Sequence, residues 1–86
     1  MYYVYILESE VNGDFYKGST SDYQKRYNQH NNGECKFTRG LRPWKLVFVQ
    51  ILPTKSEALI QEKKLKRSNK EYLRWLISQP VNILLK

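Results

Sequence analysis

Val11-Asn12-Gly13-Asp14 lies between two runs dense in Tyr, Val, Ile and Phe, and no other stretch constrains the fold as much. Asn-Gly tolerates the positive φ angles that tight turns between antiparallel strands require. The alternation of bulky residues predicts one strand over Met1–Glu8 and a second over Phe15–Ser19. A two-residue turn at Asn12-Gly13 pairs Val11 with Asp14, Ser9 with Tyr16, Leu7 with Gly18 and Tyr5 with Thr20. Successive side chains point to opposite faces of a sheet, so Tyr5 and Tyr16 share one face, beside the bare backbone of Gly18. Ordinary aromatic core packing accounts for such a face, and so does a site built from two phenols.

Ser21-Asp22-Tyr23-Gln24 has capping-box spacing and opens a helix from Asp22 to Asn31 that stops before Gly33. Residues 33–43 form a basic loop containing Gly33, Gly40 and Pro43. Trp44–Leu52 reads as a third strand, ended by Pro53. Thr54-Lys55-Ser56-Glu57 is a second capping box, heading a helix that reaches Ser68, and a last helix runs from Asn69 to Ser78, before Pro80. A chain of 86 residues has room for one core. Residues 1–86 are therefore predicted to form a single α+β domain, a three-stranded antiparallel or mixed sheet flanked by helices in the order ββαβαα.

Fifteen Lys and Arg against eight Asp and Glu give a net charge of +7, unevenly spread. Residues 1–22 hold one base and four acids, whereas 23–86 hold fourteen bases and four acids. A polyanion is expected to meet the later part. Cys35 and His30 are the only cysteine and histidine. An internal disulfide framework and a Cys/His zinc cluster are excluded, and no disulfide-linked partner is expected. No apolar run approaches the roughly 18 residues of a membrane span. MYYVYILESE lacks the basic n-region and small-residue cleavage site of a signal peptide. No membrane association is expected, and the expected location is cytoplasmic.

Three sets of residues are candidates for chemistry. Arg26 and His30 lie i, i+4 on the first helix, beside Tyr23 and Tyr27, where a solvated basic face is the plain alternative. On the next helix Glu62 falls between Ala58, Leu59 and Leu65, in the middle of the inward stripe. A carboxylate there costs several kcal/mol unless a cation partner, a metal ion or an open cleft compensates it. A salt bridge to Arg26 or another base competes with a metal. The third set is basic: Lys36, Arg39, Arg42 and Lys45 recur every third residue through the loop, with Phe37, Thr38 and Trp44 among them. Lys63, Lys64, Lys66, Arg67 and Lys70 line the second helix and its exit. Bases mixed with hydroxyls and aromatics suit a phosphate backbone, though a solvated charge run looks the same.

Tyr3-Val4-Tyr5, Tyr16-Lys17-Gly18, Arg26, His30 and Glu62 within EALIQEKKLK occur in an order and spacing that resembles the GIY-YIG nuclease superfamily. GSTSD before the first helix, RPWKLV entering the third strand and TKSEAL opening the second helix add to the likeness. The chain is most similar to the short single-domain bacterial branch, which is similar to the N-terminal domain of excinuclease. The resemblance implies divalent-metal-dependent hydrolysis of DNA phosphodiesters, with one Mg²⁺ or Mn²⁺. By position it implies Tyr5 and Tyr16 as the motif tyrosines, Gly18 as the point of close backbone approach, Arg26 on the scissile phosphate and Glu62 on the metal. His30 matches a position that is often His or Tyr. Gln79-Pro80-Val81-Asn82 is similar to a closing Pro-Asn segment, which implies Asn82 as a nucleic-acid contact. Departures are Tyr3 for the first Gly, Val4 and Lys17 for the Ile positions, and Ser19 where some members carry Lys. Lys17 is then expected to aid phosphate binding.

The expected general base is Tyr5. A free phenol titrates near about 10, so this role requires the metal and nearby cations to lower its pKa. His30, whose ordinary range is near neutrality, is the other candidate. Phosphate contacts are expected from Lys36, Arg39, Arg42, Lys45, Lys63 and Lys66, which carry little sequence information. Selectivity would then come from DNA shape or from a protein partner that delivers the domain. The expected function is a metal-dependent DNA endonuclease in repair or processing. The alternative is a nucleic-acid-binding module that keeps the fold without catalysis.

Overall fold

Strand β1 (Tyr2–Ser9) is the middle strand of a three-stranded antiparallel sheet, between β2 (Phe15–Thr20) and β3 (Trp44–Leu52). This position explains its near-continuous apolar run: both faces of β1 are covered, and Val4, Tyr5, Ile6 and Leu7 are all buried. Helix α1 (Tyr23–Asn31) packs on one face, and α2 (Lys55–Lys66) and α3 (Lys70–Ile77) on the other. The order is ββαβαα, with short 3-10 turns at Arg39–Leu41 and Ile83–Leu85. This is a computed structural model, and it describes residues 1–86.

The hairpin corrects the expected register. Tyr5 faces Gly18, Leu7 faces Tyr16 and Tyr3 faces Thr20. The two-residue turn is replaced by a loop over residues 10–14. Ser9 organises it, because its Oγ accepts hydrogen bonds from Val11 N and Asn12 N while its carbonyl accepts from Gly13 N. Gly13 takes the positive φ there, at 78°. The slip is an even number of residues, so every side chain keeps its face: Tyr5, Tyr16 and Gly18 still look toward α1, while Lys17 and Ser19 look toward α2.

The two faces are built differently. On the α2/α3 face, Val4, Ile6, Phe48, Ala58, Leu65, Leu73 and Leu76 form a mostly aliphatic core, each large side chain contributing roughly 1.5–3 kcal/mol on burial. The second-helix stripe is narrower than expected, for Ala58 and Leu65 are buried but Leu59 is 48% exposed. On the other face Tyr5, Leu7, Trp44 and Val49 are joined by partly buried Tyr3, Tyr16, Tyr23 and Tyr27. Helix α1 is too polar to dock by apolar burial alone, and hydrogen bonds fix it. Tyr27 Oη and Asn31 Nδ2 donate to the Trp44 carbonyl at 2.9 Å, and Trp44 N donates to Asn31 Oδ1 at 2.7 Å. The N-cap of α1 is Asp22, accepting from Lys25 N, one residue beyond the expected Ser21. Thr54 caps α2 where the sequence places the second capping box, its Oγ1 accepting from Glu57 N at 3.2 Å and donating to Glu57 Oε2 at 3.4 Å.

Candidate active site

Pairing Tyr5 with Gly18 makes a contact that only glycine permits. A Cβ built on Gly18 would lie 2.5 Å from the Tyr5 hydroxyl and 2.7 Å from Cζ. The missing side chain of β2 is thus the space in which the phenol of β1 lies. Tyr16 flanks the same place, its ring centroid 6.3 Å from that of Tyr5 and 4.8 Å from that of His30.

His30, at the end of α1, is fully buried against these rings. Its Nε2 lies 3.0 Å from Tyr5 Oη and its Nδ1 2.8 Å from Thr38 Oγ1. Both ring nitrogens are thus engaged, and in a neutral imidazole one of them donates and the other accepts, which makes Tyr5, His30 and Thr38 one hydrogen-bonded chain. Burial, followed by the charge of Arg26, pulls the His30 pKa down to about 4, so the ring is a neutral acceptor at pH 7. Burial also pushes the Tyr5 phenol well above its ordinary value, with the Tyr16 phenol adding to this and Arg26 opposing it. A phenol depressed into the range 7–9 is therefore not what the protein itself provides.

Arg26 stands at the open side of this group, partly exposed, above a polar hollow lined by Thr20, Asp22, Lys25 and Gln29. It is close enough to the Tyr5 oxygen to oppose the rise of that pKa, and its Nη1 donates to Gln29 Oε1 at 3.0 Å. The remaining guanidinium donors are available to an incoming anion.

Glu62 belongs to the other face of the sheet. Its Oε1 accepts from Ser19 Oγ at 2.5 Å and its Oε2 pairs with Lys66 Nζ at 2.7 Å. Lys66, not Arg26, is its cation. Burial raises the Glu62 pKa, but the hydrogen bonds from Lys66 and Ser19 outweigh it and the net shift is downward. Beyond the ion pair lies an open hollow lined by Leu59, Ile60, Lys63 and Lys66. Edge strand β2 is the partition between the two groups: Tyr16 and Gly18 face Tyr5, and Ser19 faces Glu62. The partition is thin, for the Lys66 ammonium, held protonated first by Glu62, also senses the Tyr16 phenol. Lys17 lies on the Glu62 side, its pKa lowered by burial and by Lys66.

The expected phosphate contacts divide in the same way. Lys36, Arg39 and Arg42 are exposed on the loop after α1, Lys45 is exposed on β3 opposite Glu8, and Lys63 and Lys66 are exposed on α2. Asn82 is a correction. It is completely buried, and both of its polar atoms are committed: Oδ1 accepts from Val49 N and Leu84 N at 3.1 Å, and Nδ2 donates to Val47 O and Ile77 O at 2.9 Å. It closes the free edge of β3 and has nothing left to offer DNA. Asn82→Leu is expected to lower stability by about 2–4 kcal/mol in urea melts, because buried backbone groups lose their partners. Salt-dependent DNA affinity of the folded protein should not change.

Sequence reasoning passes over two residues as site elements. Thr38 reads only as one of the loop hydroxyls suited to phosphate, and Ser19 only as a departure from Lys. Neither contact has a periodic signature, because each joins segments that meet through the fold.

A family model described as the GIY-YIG catalytic domain matches residues 1–74. The chain is 38% identical over 79 residues to a UPF0213 protein of Staphylococcus saprophyticus, covering 91% of this chain and 95% of the relative. It is 40% identical over 77 residues to one of Halobacterium salinarum, covering 85% and 99%. The solution NMR structure of a UPF0213 protein from Bacillus halodurans is similar at a TM-score of 0.60 and 35% identity, covering 98% of this chain and 90% of that one.

Proposed function

The chain belongs to the GIY-YIG nuclease family, and from that membership we propose that it is a divalent-metal-dependent endonuclease hydrolysing DNA phosphodiesters, in the cytoplasm, in repair or processing. One observation carries the reading. Tyr5, which faces the bare backbone of Gly18, is buried and hydrogen-bonded to a neutral histidine whose other ring nitrogen is held by Thr38. A module that only bound nucleic acid would have no use for this buried chain of proton donors.

The donor set fits a divalent ion held by a single protein anchor. Mg²⁺ is usually bound through one or two carboxylates, with water and substrate phosphate completing its shell. Glu62 supplies one carboxylate, and no group of three or more His, Cys, Asp or Glu stands ready as a cage. Lys66 must yield one carboxylate oxygen, which its 56% exposed side chain has room to do. When bound, such an ion polarises the phosphodiester and neutralises charge on its oxygens.

The remaining roles fall to the chain itself. Arg26 grips phosphoryl oxygens from the open side. Tyr5, with its own proton directed at His30 Nε2, turns its oxygen lone pairs toward an attacking water and takes that water's proton as its own passes to His30. Tyr16 and Gly18 shape the surface against which the phosphate lies, and Lys17 and Lys66 add positive charge beyond the edge strand. No helix is long and apolar enough to cross a membrane.

Cleavage of end-labelled duplex, flap and junction DNA, with Mg²⁺ or Mn²⁺ and with EDTA, tests the reading: metal-dependent nicking supports it, and no cleavage of any substrate with either ion refutes it. Arg26→Lys is expected to be nearly as damaging as Arg26→Ala, because a point charge on a flexible stem does not replace a bidentate fork. Full activity in the lysine variant would reduce Arg26 to a solvated surface charge.

A further inference from the structure

We propose that Phe37 is a stacking platform for an unpaired DNA base, so that the domain favours DNA with an unstacked base near the cleaved phosphate over intact duplex. The proposal rests on the nuclease reading and names its substrate class. Phe37 is 91% exposed, more than any other large apolar side chain. The chain around it is firmly held. Thr38 bonds His30 through Oγ1, accepts at its carbonyl from Trp44 Nε1 at 2.8 Å and donates its N–H to the Cys35 carbonyl. Arg39 Nε donates to Gly33 O, Arg42 Nε to Arg39 O, and Ser9 Oγ to Leu41 O. A loop pinned on both sides of an exposed phenyl ring presents that ring to solvent by construction.

Its surroundings select the occupant. Lys36, Arg39 and Arg42 are all exposed on the same loop as the ring. A stacking ring set among phosphate-binding cations is how single-stranded nucleic acid is held, since every base has a π-face and the backbone supplies the charge. The next residue along the chain, Thr38, is hydrogen-bonded to His30, so the ring and that contact are carried by the same loop. Intact duplex keeps its bases stacked on one another and leaves the ring unused.

Fluorescence anisotropy in EDTA, on a gapped or flapped DNA and on an intact duplex of equal length, measures this without cleavage. Wild-type protein is expected to bind the gapped or flapped DNA roughly 5- to 100-fold more tightly. Phe37→Ala, whose fold is safe because the ring is exposed, should lose that preference and leave duplex affinity unchanged. Phe37→Trp should keep it, and Lys36→Ala, which removes an exposed cation that holds no part of the loop, should weaken both DNAs equally. Equal affinity for the two DNAs in the wild type, or an unchanged preference in Phe37→Ala, overturns the platform. Because EDTA removes the metal from the binding assay, a preference that persists in a protein without cleavage activity faults the nuclease reading and leaves the platform standing.

Discussion

Glu62→Ala should abolish metal-dependent cleavage, the largest loss expected from any single substitution in the chain. Glu62 is the carboxylate that the fold sets against Ser19 of the edge strand, so its removal leaves a divalent ion there without a protein ligand. The fold should survive. The side chain is 18% exposed, and its partners are Ser19 and a lysine that solvent can receive. The variant should melt within about 1 kcal/mol of wild type. The sign with pH follows from the lowered carboxyl pKa. Such a group contributes stability above the unfolded carboxylate range and loses it as pH falls through the folded value, so any stability difference from wild type should shrink below about pH 4. A variant that unfolds while keeping its specific activity would make Glu62 a structural ion-pair member and no metal ligand.

Tyr5→Phe should lower kcat by roughly 10²–10⁴-fold with little change in DNA affinity. The ring keeps its place against Tyr16 and Gly18, and only the hydroxyl is lost. The pH profile is informative as well. Burial holds the free phenol above its ordinary range and His30 at about 4. The chain's own groups therefore impose an acid limb near the His30 value and no rise between about pH 7 and 9. A wild-type rate climbing steeply from 7 to 9, with the climb absent in Tyr5→Phe, would mean a free phenolate acts after all. A wild-type rate in Tyr5→Phe would remove Tyr5 from the reaction.

Much of this is legible in the sequence because it depends on local pattern. The bounds of β3, the Thr54 capping box and the shared face of Tyr5 and Tyr16 are set by neighbours in the chain. The hairpin register is not, since the Ser9 hydroxyl competes for turn amides and lengthens the loop. Because that slip preserves parity, the face assignment survives the wrong pairing. The wheel places Glu62 in the middle of the inward stripe with Lys66 at i, i+4, but the choice of Lys66 over Arg26 is not legible, because it depends on which face of the sheet each helix covers. Asn82 reads as a DNA contact only through the likeness of Gln79-Pro80-Val81-Asn82 to a closing Pro-Asn segment, whereas here its side chain terminates a sheet edge. The direction of the Tyr5 pKa is hidden for a related reason: cations are visible in composition, and the burial that outweighs them is not.

The proposed function requires one site assembled around both sides of edge strand β2. Manganese-induced broadening of amide resonances, recorded on Tyr5→Phe bound to DNA so that the substrate stays intact, locates the ion directly. Broadening should be strongest at Glu62 and Ser19, extend through the strand to Gly18 and Tyr16, and vanish when Glu62→Ala is added. Broadening centred away from Ser19 and Glu62, or unchanged by Glu62→Ala, would contradict a metal site at this edge.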